Sequence, residues 1–313
     1  MTGAAMMIVA LGIDALIGWP PRLYALIGHP VTWIGALIRA LDRWINLDGG
    51  DDRARRIAGV VTALVVIGAA AALASLATSL LPGGWSGVVL AGVLAWPLVA
   101  MRSLREHVEA VAAPLAAGDL DAARRAVGMI VGRDPDRLDR NGIARATLES
   151  LGENTSDGIV APVFWGVVFG LPGIAVYKAI NTLDSMIGHR SERYAAFGWA
   201  SARIDDVANL IPARLTGLLF AVVSTRPRAA LAVMWRDARH HRSPNAGWPE
   251  AALAGALDIR LSGPRSYGDR VAEEPWVNPG AADPVPEDIG RALRLFRFVM
   301  LAMALVVAIC ALI

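Results

Sequence analysis

Two reactive side chains are almost absent from this chain of 313 residues: Cys310 is its one cysteine and Lys178 its one lysine. A single cysteine excludes an intrachain disulfide and any metal site built from several cysteines. The formal net charge is only +2, and no basic stripe interleaved with aromatic residues occurs. Both observations argue against a nucleic-acid partner.

The best-known phosphate-binding and hydrolytic motifs are also missing. The sequence has no G-x-x-x-x-G-K loop, no strand-flanked G-x-G-x-x-G, no G-x-S-x-G and no H-E-x-x-H. We therefore expect any ATP to be held through Mg²⁺ on carboxylates and through arginine or lysine side chains, rather than by a Walker motif.

Long uncharged runs, by contrast, occur several times in the sequence. Hydrophobic residues make up 55% of the chain, and the mean hydropathy is +0.46. Residues 57–81, 85–101 and 298–313 carry no charge. Because about 20 apolar residues cross the hydrocarbon core, we predict an all-α, polytopic integral membrane protein with roughly four to six transmembrane or re-entrant helices.

The first apolar stretch, residues 1–17, contains Asp14, lacks a basic leader and runs into two prolines. We interpret it as a retained membrane or interfacial helix rather than a signal peptide. Residues 1–313 are then expected to form one membrane-embedded domain, in which residues 102–157 and 224–294 are polar cytoplasmic segments. Within the first, Leu104, Val108, Val111 and Leu115 recur at helix spacing, and Asp119 or Asp121 is a candidate cap for a helix reaching residue 131. The second is predicted to be mostly loop from Ser243 onward.

The distribution of basic residues conflicts with a simple alternation of membrane spans. Basic residues concentrate in residues 18–56, 102–157 and 224–294, and the positive-inside rule places all three in the cytoplasm. Simple alternation of spans would then put the charged residues 178–203 outside. The apolar residues 158–177 contain several glycines and prolines, among them Gly170 and Pro172. A re-entrant segment there removes the conflict, because irregular backbone is tolerated at membrane depth when it is buried in protein.

The first polar cluster that carries chemistry lies before this broken stretch. Arg145, Glu149 and Glu153 are spaced four residues apart, on one helix face that Asp157 extends, with Asn154 beside them. Stacked carboxylates repel one another unless a cation lies between them, and Mg²⁺ prefers oxygen ligands. The alternative is a solvated helix with an Arg145–Glu149 ion pair.

Two further clusters follow the broken stretch. The second contains Lys178, Asn181, Asp184, Arg190 and Arg193, and ionisable groups at a membrane boundary are functional suspects. A charged surface loop is the alternative for its arginines. The third contains Asp205, Asp206, Asn209 and Arg214 at the start of an apolar helix, which suits a metal–phosphate site. Simple capping of that helix by an aspartate is the alternative.

Three long stretches make the chain resemble the CobD/CbiB family of adenosylcobinamide-phosphate synthases. They read GRDPDRLDRNGIARATLESLGENTSDGIVAPVFW, AVYKAINTLDSMIGHRSERYAAFGWASARIDDVANLIPARLTGLL and SPNAGWPEAALAGALDIRLSGPRSYG. The resemblance implies ATP-dependent condensation of the free carboxylate of adenosylcobyric acid with 1-amino-2-propanol or its O-phosphate. The product is then adenosylcobinamide or its phosphate, made at the cell inner membrane by a multi-pass enzyme whose active site faces the cytoplasm.

The resemblance also assigns roles to the three clusters, with ATP and Mg²⁺ as cofactors. The expected catalytic residues are Lys178, Glu149, Glu153, Asn154 and Asp184. The expected substrate and phosphate ligands are Arg145, Asn181, Arg190, Arg193 and Arg214, and the expected metal ligands are Glu153, Asp157, Asp205, Asp206 and Asn209. Expected partners are the corrinoid, the amino alcohol or its phosphate, membrane lipid and other membrane enzymes of cobalamin synthesis.

Two other readings of the clusters remain open. A secondary transporter also uses broken helices, but it places its polar site at the membrane midplane, whereas these clusters lie at the ends of apolar segments. An Asp-rich membrane phosphotransferase would share the metal–phosphate chemistry without forming an amide. ATP-dependent amide formation separates the ligase from both.

The topology can be tested with single cysteines at Ala195 and Ala246 in a Cys310→Ser background. We expect both positions to resist an impermeant thiol reagent in intact cells and to react after permeabilisation, because both lie in segments predicted to be cytoplasmic. Labelling of position 195 from outside would restore simple alternation of spans.

Overall fold

Helices make up nearly all of the computed structural model, which describes residues 3–46, 51–132, 135–189, 191–267, 270–272 and 274–313. The helices in chain order are α1 (Gly3–Leu16), α2 (Pro21–Ile27), α3 (Pro30–Ile45), α4 (Asp52–Leu80), α5 (Gly84–Ala95), α6 (Met101–Ala117), α7 (Leu120–Val127), α8 (Arg140–Thr155), α9 (Ala161–Leu183), α10 (Trp199–Ala208), α11 (Leu210–Val223), α12 (Pro227–Asp237), α13 (Gly247–Leu257) and α14 (Pro286–Leu312).

The remaining regular structure is short. Single 3₁₀ turns cover Trp96–Leu98 and Ala238–His240, and π-helical turns cover Ser156–Val160 and Asp184–Gly188. The strands are β1 (Leu261–Ser262), β2 (Arg265–Tyr267), β3 (Arg270–Ala272) and β4 (Trp276–Val277). β1 pairs antiparallel with β4, and β2 with β3.

The apolar helices match the predicted fold class. Among the described residues, four helical stretches are long and apolar enough to cross a membrane: Asp52–Leu80, Gly84–Ala117, Arg140–Gly188 and Pro286–Leu312. Two bent pairs raise the number to six, Gly3–Leu16 with Pro21–Ile45 and Trp199–Ala208 with Leu210–Val223. The all-α, multi-pass prediction of four to six membrane helices is therefore confirmed.

The chain separates into two compact units. The first comprises residues 1–100, 161–209 and 306–313, and the second comprises residues 101–160 and 210–305. Both polar segments that the sequence marks, 102–157 and 224–294, fall within the second unit. The second polar segment is more helical than predicted, because α13 and the start of α14 occupy it.

Local sequence explains where several helices begin. Asp51 caps α4 by accepting a hydrogen bond from the Ala54 N–H at 2.6 Å, and Asp119 caps α7 through the Ala122 N–H at 2.9 Å. Both caps satisfy a backbone donor that has no partner inside its own helix. Asp119 is thus the cap that the sequence proposed, but α7 ends at Val127, four residues earlier than predicted.

The predicted buried face of α6, with Leu104, Val108, Val111 and Leu115, is confirmed.

Small residues let helices approach closely in the first unit. α4 packs on α9 and α10 around a core that includes Ile38, Ala63, Val66 and Phe197. A Cβ atom built on Gly59 would overlap the Phe197 carbonyl, and one on Gly3 would overlap the Gly166 carbonyl. Glycine at these two positions therefore sets the distance between packed elements, as small residues do between membrane helices.

α9 reverses direction at Gly170, whose φ of 65° and ψ of −151° are not helical. A Cβ atom on Gly173 would overlap the Trp165 carbonyl and lie 2.7 Å from the Phe169 Cβ. Residues eight apart in a continuous helix are about 12 Å apart, so the two limbs of α9 must fold back on each other. This reversal is the geometry that a re-entrant segment requires, and the position of the segment in the membrane stays a prediction.

α13 is the buried centre of the second unit. All of its residues are buried, and it packs against α8, α11 and α12.

Ala246 directly precedes α13 and is only 7% exposed, so a cysteine there is shielded from reagents in either membrane orientation. Arg239 is exposed in the same polar segment and is the better position for the accessibility experiment.

A carboxylate on α3 ties down the segment between α9 and α10. Asp42 accepts hydrogen bonds from the Arg193 Nη2 at 3.1 and 3.2 Å, the Tyr194 hydroxyl at 3.2 Å and the Asn46 amide at 2.8 Å. Arg55 also donates to the Arg193 carbonyl. Arg193 therefore has a structural partner that the sequence did not reveal, and its predicted contact with phosphate remains untested.

We expect Asp42→Ala to destabilise the protein by about 1–3 kcal/mol, because three donors lose a largely buried acceptor. Thermal unfolding in detergent, followed by intrinsic fluorescence, measures this as a lower midpoint. Asp52→Ala removes an exposed aspartate one helix later and serves as the control with an unchanged midpoint. An equal midpoint for Asp42→Ala and wild type would show that the Asp42 contacts are dispensable.

Candidate active site

Two of the sequence clusters contain π-helical turns. Ser156–Val160 directly follows α8, and Asp184–Gly188 directly follows α9. A Cβ atom on Gly188 would overlap the Asp184 carboxylate, so glycine there allows the backbone to lie against this acid. Single π turns within helices occur frequently at functional sites.

Acidic side chains of α9 and α10 meet in the first unit. Asp184 lies close enough to Asp206 and His189 for their charges to interact. Arg203 donates to Asp206 through Nη1 at 2.9 Å. Two acids from clusters that are separate in sequence are therefore within electrostatic range of each other, and the metal–phosphate site stays a prediction.

Asp205 is held by a chain of hydrogen bonds. The Tyr177 hydroxyl donates to Asn209 Oδ1 at 2.9 Å, and the Asn209 amide donates to Asp205 Oδ2 at 3.0 Å. Tyr177 and Asn209 are each only 1% exposed. Because the Asn209 oxygen already accepts a hydrogen bond in a closed environment, the geometry favours Asn209 as a support for Asp205. Its predicted role as a metal ligand remains untested.

Lys178 and its neighbours form a half-buried face of α9. Lys178, Asn181 and Asp184 follow at one-turn spacing and are all partly exposed. Lys178 also lies within electrostatic range of His29, at the start of α3. Arg190, which the sequence assigns to phosphate binding, lies outside the described residues.

The α8 cluster lies in the second unit and divides along the helix. Glu149 is 6% exposed and accepts a hydrogen bond from the Ser262 N–H at 2.8 Å. Glu153, one turn later, is exposed, and Asp157 is half-buried in the π turn. Asn154 donates to the Ser150 carbonyl of its own helix at 2.9 Å. Glu153 and Asp157 are therefore the acids of this face that a ligand can reach.

Two of the predicted phosphate-binding arginines have protein partners. The Arg145 guanidinium lies 4.8 Å from the centre of the Trp276 ring and 3.7 Å from Asp283. The Arg214 guanidinium lies 4.4 Å from the Trp248 ring, and its Nη1 donates to the Leu210 carbonyl at 2.7 Å. These contacts orient both side chains, and any phosphate would bind to the donors that remain.

Sequence reasoning missed a buried polar group around α13. Glu250 is 2% exposed, its Oε2 accepts from the Ser262 hydroxyl at 3.4 Å, and His241 Nε2 lies 3.7 Å from its Oε1. The available signal was that Glu250 is the one charged residue in the otherwise apolar sequence of α13. A buried charge is costly unless it is paired, so its presence there marks a specific contact.

The donor set fits a magnesium ion shared with substrate better than a cage made of protein alone. Within the described part of the chain, no group of three or more His, Cys, Asp or Glu side chains is arranged to hold a metal ion. Mg²⁺ commonly takes one or two carboxylates, with water and substrate phosphates completing its shell. Asp184 with Asp206, or Glu153 with Asp157, matches this lower requirement.

Comparison with known proteins agrees with the resemblance seen in the sequence. The family model described as CobD/Cbib protein matches residues 7–296. A cobalamin biosynthesis protein CobD of Rhodobacter capsulatus is 64% identical over 99% of this chain and 98% of its own. Similarly named proteins of a Sinorhizobium species and of Brucella suis are each 47% identical over 92% of this chain, and over 92% and 90% of their own. No solved structure matches the chain. The chain therefore belongs to the CobD/CbiB family of cobalamin biosynthesis proteins.

Proposed function

We propose that this protein is an ATP-dependent amide ligase that joins the free carboxylate of adenosylcobyric acid to 1-amino-2-propanol or its O-phosphate. The observation that carries the proposal is the meeting of Asp184 with Asp206 beside Lys178 in one unit. Family membership supports a role in cobalamin biosynthesis. Amide formation driven by ATP is what the resemblance to this family implies, and the carboxylates with Lys178 are suited to bind the metal–nucleotide that it requires.

A carboxylate does not acylate an amine at a useful rate, so one of its oxygens must first become part of a better leaving group. Transfer of the γ-phosphoryl group of ATP to that oxygen gives an acyl phosphate and releases ADP. Attack of the neutral amine on the acyl carbon then forms the amide and releases inorganic phosphate and a proton. Mg²⁺, when bound, would neutralise charge on the phosphates of ATP.

The side chains divide this work by chemistry. Asp184, Asp205 and Asp206 supply carboxylates for the metal–nucleotide, and the Tyr177–Asn209 chain holds Asp205 in one orientation. Lys178 offers a compact positive charge to the transferred phosphoryl oxygens. Glu153 is exposed on α8 in the second unit and is proposed as a further metal ligand.

The proposed substrates set the orientation of the enzyme. ATP is in the cytoplasm, so the active site is placed on the cytoplasmic side of the inner membrane. The corrinoid and the amino alcohol or its phosphate approach from that side, and other membrane enzymes of cobalamin synthesis are possible neighbours. Membrane lipid surrounds the apolar helices.

A transporter is the second candidate, and one observation favours it. α9 is broken at Gly170 and its limbs fold back, which resembles the discontinuous helices that form transport sites. Uptake of corrinoid into proteoliposomes, without covalent change, would support this alternative over the ligase.

Purified protein in detergent should form the amide only when ATP, Mg²⁺, corrinoid and amine are all present. Glu153→Gln and Asp206→Asn keep side-chain size but remove charge, and we expect both to lose activity because uncharged oxygens bind Mg²⁺ poorly. Mass spectrometry of the corrinoid measures the product. Amide formation at the wild-type rate in both variants would refute the metal assignment.

Lys178→Arg tests whether the site requires an ammonium group. Arginine presents a wide planar fork where lysine presents a point charge, so we expect a loss on the order of 3 kcal/mol of transition-state stabilisation, or roughly a hundredfold in rate. Steady-state amide formation at saturating ATP gives the value. The reciprocal control is Arg228→Lys at an exposed position, which should leave the rate of amide formation unchanged. An Lys178→Arg rate within about threefold of wild type would make Lys178 a membrane-edge anchor.

A further inference from the structure

Ser262 is one of three non-glycine residues with a positive φ among the residues that the structure describes. Its φ is 59°, it is 2% exposed, and it is followed by Gly263 with a φ of 81°. A residue with a side chain adopts the left-handed region only at a cost, and it stays there when its surroundings hold it. Such positions concentrate at functional sites, which makes the contacts of Ser262 informative.

Three side chains from two helices hold Ser262. Its N–H donates to Glu149 Oε1 at 2.8 Å, its hydroxyl donates to Glu250 Oε2 at 3.4 Å, and its carbonyl accepts from Arg145 Nη1 at 3.5 Å. Glu149 and Arg145 belong to α8, and Glu250 belongs to α13. Every polar group of Ser262 is therefore matched by a side chain from a helix.

His241 supports Glu250 from the other side. Its Nδ1 lies 3.1 Å from the Ser243 N and 3.4 Å from the Ser243 carbonyl oxygen. Its Nε2 lies 3.7 Å from Glu250 Oε1. Glu250 therefore has His241 near one oxygen and the Ser262 hydroxyl near the other.

Ser262 belongs to a strap of which the structure describes residues 259–267, 270–272 and 274–283, and this strap has further anchors in the second unit. The guanidinium groups of Arg145 and Arg260 lie 4.8 and 4.3 Å from the centre of the Trp276 ring. Arg260 also binds Asp283 through two contacts of 3.0 and 2.6 Å. The hydrogen bond from Arg260, assisted by the charges of Arg145 and Arg260, lowers the pKa of Asp283 despite partial burial, so this anchor stays ionised at neutral pH.

The contacts of the strap divide the face of α8 into two parts. Arg145 and Glu149 are committed to Trp276, Asp283 and Ser262, whereas Glu153 is exposed one turn further along. We propose that Glu149 and Glu250 are positioning residues: they act through Ser262 to hold the strap on α8. Glu149 then makes no contact with the reacting groups. The inference rests on the proposed function only where it assigns Glu153 to the reaction.

Paired substitutions distinguish a positioning carboxylate from a catalytic one. Glutamine keeps an oxygen that can accept the Ser262 N–H, whereas leucine has a similar size and no acceptor. We expect the Ser262 contact, and with it the attachment of the strap, to survive Glu149→Gln and to be lost in Glu149→Leu. A strap released equally by glutamine and by leucine would contradict the positioning role.

Limited trypsin digestion of the full-length protein, without substrate, reports the strap directly. Mass analysis of the fragments follows cleavage after Arg260 and Arg265. We expect wild type and Glu149→Gln to be cut at equal rates, and Glu149→Leu and Glu250→Leu to be cut at least tenfold faster. This readout does not depend on enzymatic activity. If the wild-type protein forms no amide but Glu149→Leu still releases the strap, the proposed function is contradicted and the strap inference is supported.

Ser262→Gly keeps the test decisive if the leucine variants do not fold. Glycine accepts the positive φ and keeps the N–H that Glu149 binds, but it loses the hydroxyl that Glu250 binds. We expect cleavage about threefold faster than wild type. A wild-type cleavage rate in Ser262→Gly would overturn the proposal, as would a wild-type rate in a folded Glu149→Leu variant.

Discussion

The need to satisfy backbone hydrogen bonds in an apolar setting constrains every part of this structure. Helices meet that need internally, which is why they make up most of the chain. Where the backbone leaves the helix, side chains must supply partners. Arg55 does so for the Arg193 carbonyl, and Glu149 does so for the Ser262 N–H. The irregular places are therefore also the places where charged side chains enter the interior, and the candidate site lies among them.

Uncharged runs and single capping residues were enough to predict most helices. The face of α6 and the Asp119 cap follow directly from residue spacing and side-chain chemistry. α13 was missed because it is buried on all sides, so it has no polar face and no helical period. The prolines and glycines that flank it are typical of a loop when the sequence is considered without tertiary contacts. Only the tertiary packing of α8, α11 and α12 around it makes the helix favourable.

The candidate site was predictable in composition but not in its pairings. Stacked acids on α8 and adjacent acids on α10 mark both helices from sequence alone. The partners of those residues lie far along the chain: Ser262 is 113 residues from Glu149, and Arg193 is 151 residues from Asp42. No periodicity connects such positions. Whether a given acid binds a ligand or anchors the fold therefore depends on tertiary contacts.

The reversal at Gly170 has a consequence for how the protein is assembled. The first limb of α9, residues 161–169, is too short to cross a bilayer by itself. α1 packs closely on this limb, since a Cβ atom on Gly3 would overlap the Gly166 carbonyl and one on Gly166 would overlap the Met7 sulfur. Because α1 precedes α9 in the chain, it is synthesised first, so this close contact can form only once α9 has followed it.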